Sequence, residues 1–400
     1  MPSDELYKLA VEYDNQKLYY KMNSEQIFGV KLSDGRIAYC SVQGRHGGEN
    51  FALAVYVGTE GLDSLRHSEI KFEDILDNEA FLLNVSQNCL QCIFEVKDEL
   101  TEDELAAEKS FSKRNKIYFR KKYSHPRFLK FTPLCLSTQI KNLEEEKILM
   151  QALSAAIEVS KKIPDSLPRR IKFLEPPPIR KKFPLLTFSG ESYKWTMEQF
   201  PPFRRVKYPA AKLKPSNLKK LSAAKKIGTY CCEIFILPCT EEDGDGISKF
   251  PVTFVTFDKT KQRKIEIEPV LDYLTAPEKL TDKIAKIFLR EGVPKKIFVR
   301  SERTYVFLEK FCEQVGIELG ETEDFQDIDM EENYLLHELK IQSLSEDEFI
   351  VQLLDLIESV PARELKKNLS QEIKDLITEL YDDDIFSDDM EEKIEKIIFD

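Results

Sequence analysis

Four hundred residues with 42% apolar side chains are too many for one compact core and predict two or three globular domains. No apolar run approaches the ~18 residues that cross a bilayer, and MPSDELYKLA opens on acids instead of the basic-then-apolar order of a signal peptide, so a soluble cytoplasmic protein with no membrane partner is expected. The net charge of −12 hides an asymmetry: residues 161–226 carry 18 Lys/Arg against 4 Asp/Glu, a local +14, whereas 321–400 carry 26 acids against 7 bases, a local −19. The two regions are expected to attract each other, or each to attract a partner of opposite sign.

The chain begins with a helical pattern over SDELYKLAVEYDNQK. QIFGVKLS and RIAYCSV then flank Asp34-Gly35, a strong hairpin signal. The loop QGRHGGEN leads to a third strand, FALAVYV, and Gly58-Thr59-Glu60-Gly61 turns the chain into a helix near 60–67. A strand near CIFEV precedes Thr101 and Glu104, which have the spacing of a capping box. In NLEEEKILMQALSAAIEVSKKI, Leu149, Ala152, Leu153 and Ala156 share one helical face. These elements predict an α+β domain over residues 1–162.

Residues 163–226 hold ten of the nineteen prolines, which argues against a long helix or a central strand and predicts an extended basic connector. Trp195 and several phenylalanines predict that it packs in places. Over 227–320, the strands CCEIFILP, FPVTFVTF and RKIEIEPVL alternate apolar and polar residues. A helix capped at Thr275-Ala-Pro-Glu278 and ended by Gly292 follows, with Leu280 and Ile284 inward. The strand KKIFV, a helix carrying Leu308, Phe311, Cys312 and Val315 up to Gly316, and the strand GIEL complete the order βββαβαβ, an α/β domain with a mixed sheet. Residues 321–400 read as an acidic helical tail, with a capping box at Ser345 and Glu348.

The first half, through IAYCSVQGRHGGENFALAVYVGTEGLDSL and PRFLKFTPLCLSTQIKNLEEEKILMQALSAAIEV, resembles an uncharacterised bacterial two-domain family. EIFILP, FPVTFVTFDKTKQRKI and VPKKIFVRSERTYVFLEKFCEQVGIEL resemble the second of its paired domains of unknown function, so that the likeness spans roughly residues 5–320. It brings no activity, substrate or cofactor. The second domain also resembles, more weakly, the ribonuclease-H-like fold of integrases and transposases. That resemblance implies an acid on the first strand, a second acid after the strand that follows the first helix, and a third on a later helix, because two magnesium ions need several oxygen ligands converging at one sheet edge. If FPVTFVTF is the first strand, Asp258 takes the first position; if EIFILP is first, Glu233 does. The second position falls on Ser301, with Glu302 beside it but directed to the other face.

Other motifs point to structure before chemistry. Cys89 and Cys92 form one CxxC without the second pair that zinc needs, so buried reduced thiols are expected. EEDGDGISKF mimics a calcium loop, but position twelve is Val252 where a bidentate Glu is required, leaving a solvated turn. GRHGGEN lacks the Walker spacing and lysine; Arg45 and His46 are candidates to hold an anion with nearby amides, against the alternative of a strand connection needing positive φ. In the connector, IRKKF and FRRVKY place Arg180, Lys181, Lys182, Arg204, Arg205 and Lys207 beside aromatics, a mixture that grips single-stranded nucleic acid or rests on an acidic face of the same molecule.

The sequence thus predicts a non-enzymatic macromolecule-binding protein with a degenerate or absent active site, without cofactor, whose partner is a protein. Nucleic acid bound through residues 163–226 without catalysis is one alternative. The other is a metal-dependent nuclease or phosphoryl-transfer enzyme using Mg2+ on Asp258 with Glu302 or Glu233.

Overall fold

The computed structural model describes residues 2–44, 51–68, 77–163, 181–190, 192–265, 267–322 and 325–330, together with 377 and 394. Residues 1–328 form one compact unit and 329–400 a second. The expected capping box at Ser345 and Glu348 lies outside the described residues. Among the described residues no helix is long and apolar enough to cross a membrane.

Among the described residues the amino-terminal half is built on eight strands: β1 (Phe28–Lys31), β2 (Ile37–Gln43), β3 (Phe51–Val57), β4 (Cys89–Glu95), β5 (His125–Phe131), β6 (Thr138–Gln139), β7 (Lys182–Ser189) and β8 (Ser192–Gln199). Their order is β6-β5-β4-β3-β2-β1-β7-β8. Every neighbouring pair is antiparallel except β1 and β7. The Asp34-Gly35 turn sets the first register, Phe28 opposite Cys40, with Gly35 at φ 86° as such a turn requires.

Strand alternation gives this sheet two apolar faces. One packs beneath α1 (Asp4–Gln16) and α5 (Leu143–Ser160), where Leu149, Ala152, Leu153 and Ala156 are fully buried against Cys40, Val42, Leu53, Val55 and Cys92. The other packs against α2 (Gly58–Ser68), through Leu62 and Leu65 on Tyr39, Tyr56 and Cys89. Two further helices among the described residues of this half are α3 (Asp77–Val85) and α4 (Glu102–Asn115). Thr101 and Glu104 form the reciprocal capping box at the start of α4.

The proline-rich stretch is more ordered than an extended connector. It supplies β7 and β8, and β7 is an interior strand despite Pro184. The ladder to β1 begins at Leu185, one residue past the proline, so the missing N–H interrupts no bond of that ladder. Gly29 of β1 permits the close approach: a Cβ there would lie 2.5 Å from Phe183 Cε2. The same stretch ends in α6 (Pro215–Ala223), whose Leu221 joins the second core.

That second core belongs to a five-stranded mixed sheet of β9 (Thr229–Ile236), β12 (Val252–Asp258), β13 (Arg263–Ile265), β14 (Lys296–Val299) and β15 (Glu318–Glu321), with the short hairpin of β10 (Glu241–Glu242) and β11 (Ser248–Lys249) alongside. The order is β13-β12-β9-β14-β15: three antiparallel strands continued by two parallel crossovers. The crossover helices are α7 (Pro277–Glu291) and α8 (Glu302–Val315); they bury Leu280, Ile284 and Phe288, and Phe307, Leu308 and Phe311, each apolar side chain contributing about 2 kcal/mol. Gly292 and Gly316 end the two helices. The start of α7 differs from expectation. Ala276 occupies the cap position without a side-chain bond, and Pro277, which needs no N–H partner there, begins the helix in place of a Thr275 cap.

Candidate functional site

β9 is the first and the central strand of the second sheet, so Glu233 holds the first-strand position and Asp258 ends the second strand. The register pairs Glu233 with Val255 and Asp258 with Tyr230. Three ladder positions separate the two acids by about 10 Å, and the odd offset sends their side chains to opposite faces. Asp258 shares the helix-covered face with Tyr230, whereas Glu233 sits between the core residues Cys232 and Ile234 and points the other way. Glu302 is an exposed first-turn residue of α8, where its charge complements the helix dipole.

Asp258 organises a turn. Its Oδ1 accepts the N–H groups of Thr260 (2.9 Å) and Lys261 (3.1 Å), and Lys261 Nζ lies 3.7 Å from Oδ2. Burial, with the Asp258 charge adding to it, pushes the Tyr230 phenol up to about 12.

Glu233 is 2% exposed and is the centre of a polar knot. β14 leaves the β9 ladder after Phe298, and the first turn of α8 takes over beside Ile234. Ser301 caps the helix: its Oγ accepts Thr304 N–H (3.2 Å) and bonds to Glu233 Oε1. Thr304 Oγ1 donates to the same Glu233 oxygen (2.6 Å) and accepts Ile234 N–H (2.9 Å). The N–H groups of Ser301 (3.3 Å) and Arg300 (3.4 Å) face Oε2, and Arg303 Nη2 stands 3.8 Å from Oε1. Hydroxyls, a helix N-terminus and a guanidinium thus compensate one buried carboxylate.

The knot also joins the two halves of the 1–328 unit. Arg303 Nη2 donates to Ile234 O (2.6 Å) and to Asn78 Oδ1 (3.1 Å) on α3. The Asn78 amide in turn pairs with both backbone groups of Ile236, accepting its N–H (3.1 Å) and donating to its carbonyl (2.8 Å). Asn78 therefore acts as a one-residue strand partner where β14 has ended. Sequence reading missed Asn78, Arg303 and Thr304; the Ser301–Thr304 spacing of an N-cap was the available signal for the last.

The expected cationic site divides. Arg45, His46 and Arg180 lie outside the described residues. Lys181 and Lys182 are exposed at the start of β7. Arg204, Arg205 and Lys207 line a cleft of about 310 Å³ with Asp63 and His67 of α2 and with Tyr273. Arg204 is held in cis: its Nε donates to Asp63 Oδ2 (2.7 Å), His67 Nε2 meets its carbonyl (2.8 Å), and Arg66 donates to Pro201 O (3.0 Å). Part of the connector's charge therefore fastens it to α2, while Arg205 and Lys207 remain exposed.

Cys89 and Cys92 sit on opposite faces of β4, one in each apolar core, so they do not share a site. Burial pushes the Cys89 thiol up to about 12 and that of Cys92 higher still. In the EEDGDG turn, Asp243 Oδ1 accepts the N–H groups of Asp245 and Ile247 (2.9 Å each), and Oδ2 pairs with Lys249 (2.7 Å).

Residues 4–174 match a domain of unknown function (DUF7309), and residues 216–335 match a second domain of unknown function (DUF6930). No curated protein and no solved structure matches the chain.

Proposed function

For a chain that pairs these two domains of unknown function, we propose a non-catalytic role in which it binds another macromolecule through its charged surfaces. The order βββαβαβ supports the ribonuclease-H-like resemblance of the second domain. Glu233 then stands at the first acidic position and Ser301 at the second, in direct contact. A serine hydroxyl brings no negative charge to a metal, and the Arg303 guanidinium supplies the positive charge that a cation would bring. The contact of Ser301 and Arg303 with Glu233 carries the reading: the place for two-metal chemistry is filled by a neutralised structural knot. Asp258 supports it from the other side, since its lone pairs serve a turn about 10 Å away on the opposite face.

The full chain should give no turnover of single-stranded oligonucleotides or of a small phosphodiester in Mg2+ or Mn2+. Metal-dependent turnover lost in both Glu233→Gln and Asp258→Asn, with each variant keeping its urea midpoint within the folded range of the parent, would overturn the reading.

A further inference from the structure

Residues 109–142 contain ten Lys/Arg and no acid, a run that a charge count over longer windows conceals. The structure folds its first part around an open groove of about 800 Å³ between the end of α4, the segment after β4 and the approach to β5. Three of the ten cations are structural: Arg114 pairs with Asp4, Arg127 with Glu104 and Lys130 with Glu145. Lys109, Lys113, Arg120 and Lys121 line the groove, are exposed, and make no ion pair among the described residues.

Aromatic rings are set among these cations. Tyr118 is 59% exposed on the groove wall, with the Arg120 guanidinium 5.7 Å from its ring centre. Lys122 Nζ stands 4.9 Å from the Tyr123 ring. The floor is firm: the buried His125 meets Glu108 at 2.8 Å, and Phe119 packs against both His125 and Phe111. Glu108 is thereby engaged, and Asp98 is the other acid on the lining.

We infer that this groove binds single-stranded nucleic acid, which rests on the binding reading above and gives it a site and a ligand class. A single strand offers phosphates to Lys109, Lys113, Arg120 and Lys121 and an unstacked base to Tyr118, so it uses both features of the surface. An acidic peptide would use the charge and leave the ring idle. Duplex nucleic acid keeps its bases stacked within the helix and offers the ring no face.

The test is fluorescence anisotropy of a labelled oligouridylate of about 16 nucleotides with the full chain. Replacing Lys109, Lys113, Arg120 and Lys121 by Glu should weaken binding at least ~100-fold and make the slope of log affinity against log salt shallower by about 3, roughly 0.7 per phosphate contact on a single strand. Tyr118→Ala should weaken binding about 5- to 150-fold, the stacking of one base, with the salt slope retained. Lys181→Glu, Lys182→Glu, Arg205→Glu and Lys207→Glu together should change it less than about twofold, and unlabelled polyglutamate should compete far less well than unlabelled oligouridylate. Thermal unfolding of each variant verifies that it is folded; if the Glu replacements lower the midpoint, the four Ala replacements serve in their place. The inference is overturned by absence of binding, by an unchanged Tyr118→Ala, by loss in the connector variant instead, or by polyglutamate competing equally. Absence of binding without turnover leaves the non-catalytic reading standing. Metal-dependent cleavage of the oligonucleotide would remove that reading whatever the groove does.

Discussion

The Glu233 knot and the 109–125 groove treat charge in opposite ways. At the knot one carboxylate is buried and surrounded by two hydroxyls, two backbone N–H groups and a guanidinium. In the groove four cations stand in solvent with no acidic partner among the described residues. A charge whose partners are all internal gains nothing from a ligand, and removing it leaves those partners buried and unpaired. A charge without internal partners can be replaced at little cost to the fold and is free to attract something else. Stability should therefore reside at the knot and recognition in the groove.

The sharpest way to break this contrast is to truncate the knot. Glu233→Ala removes the counter-charge of the buried Arg303 and the acceptor of Ser301 and Thr304, and should destabilise the 1–328 unit by about 3–5 kcal/mol, measured by urea unfolding. A loss near zero would mean that the carboxylate is not engaged as described. Asn78→Ala is the next test. It removes the strand-like pairing of Ile236 and one bond to Arg303, and should cost about 1–3 kcal/mol. Hydrogen exchange should rise at Ile236 before it rises at Leu53 in the first core. Asp258→Ala should follow at about 1–2 kcal/mol, through the Thr260 and Lys261 amides, without altering binding to any polyanion. The smallest effect belongs to Asp243. The hydrogen bond from Lys249, with those from Ile247 and Asp245, holds its carboxyl at about 2, below the usual carboxylate range. Its contribution is present above about pH 4 and is lost as the pH falls towards 2, so Asp243→Asn should lower stability slightly at pH 7, flatten its pH dependence in that window and converge with the parent towards pH 2.

Local signals in the sequence translated well. Asp34-Gly35 gave its hairpin, Thr101 and Glu104 their reciprocal cap, and Gly292 and Gly316 their helix ends, because each depends on neighbours within a few residues. In the second domain the alternation of CCEIFILP and FPVTFVTF marked β9 and β12, and that of RKIEIEPVL marked β13, which is shorter than its pattern and ends at Ile265. Non-local pairing was not: β7 meets β1 in parallel across more than a hundred residues, and the proline count of the surrounding stretch pointed away from a strand. At the candidate site, Glu233 and Ser301 were legible as positions, but their contact was not, since Asn78, Arg303 and Thr304 reach them only through the fold. The groove had a plain signal in the acid-free run 109–142, obscured by comparison with the stronger charges at 161–226 and 321–400.

The most direct test of the central claim is paramagnetic broadening by Mn2+ of the amide signals of Ile234, Ser301 and Thr304. These groups surround the Glu233 carboxylate, so an ion bound there would erase them first. A filled structural knot predicts that they broaden no more than amides of the distant first core at the same Mn2+ concentration. Selective loss of those three signals, abolished by Glu233→Gln, would show that the carboxylate takes a metal and would contradict the account.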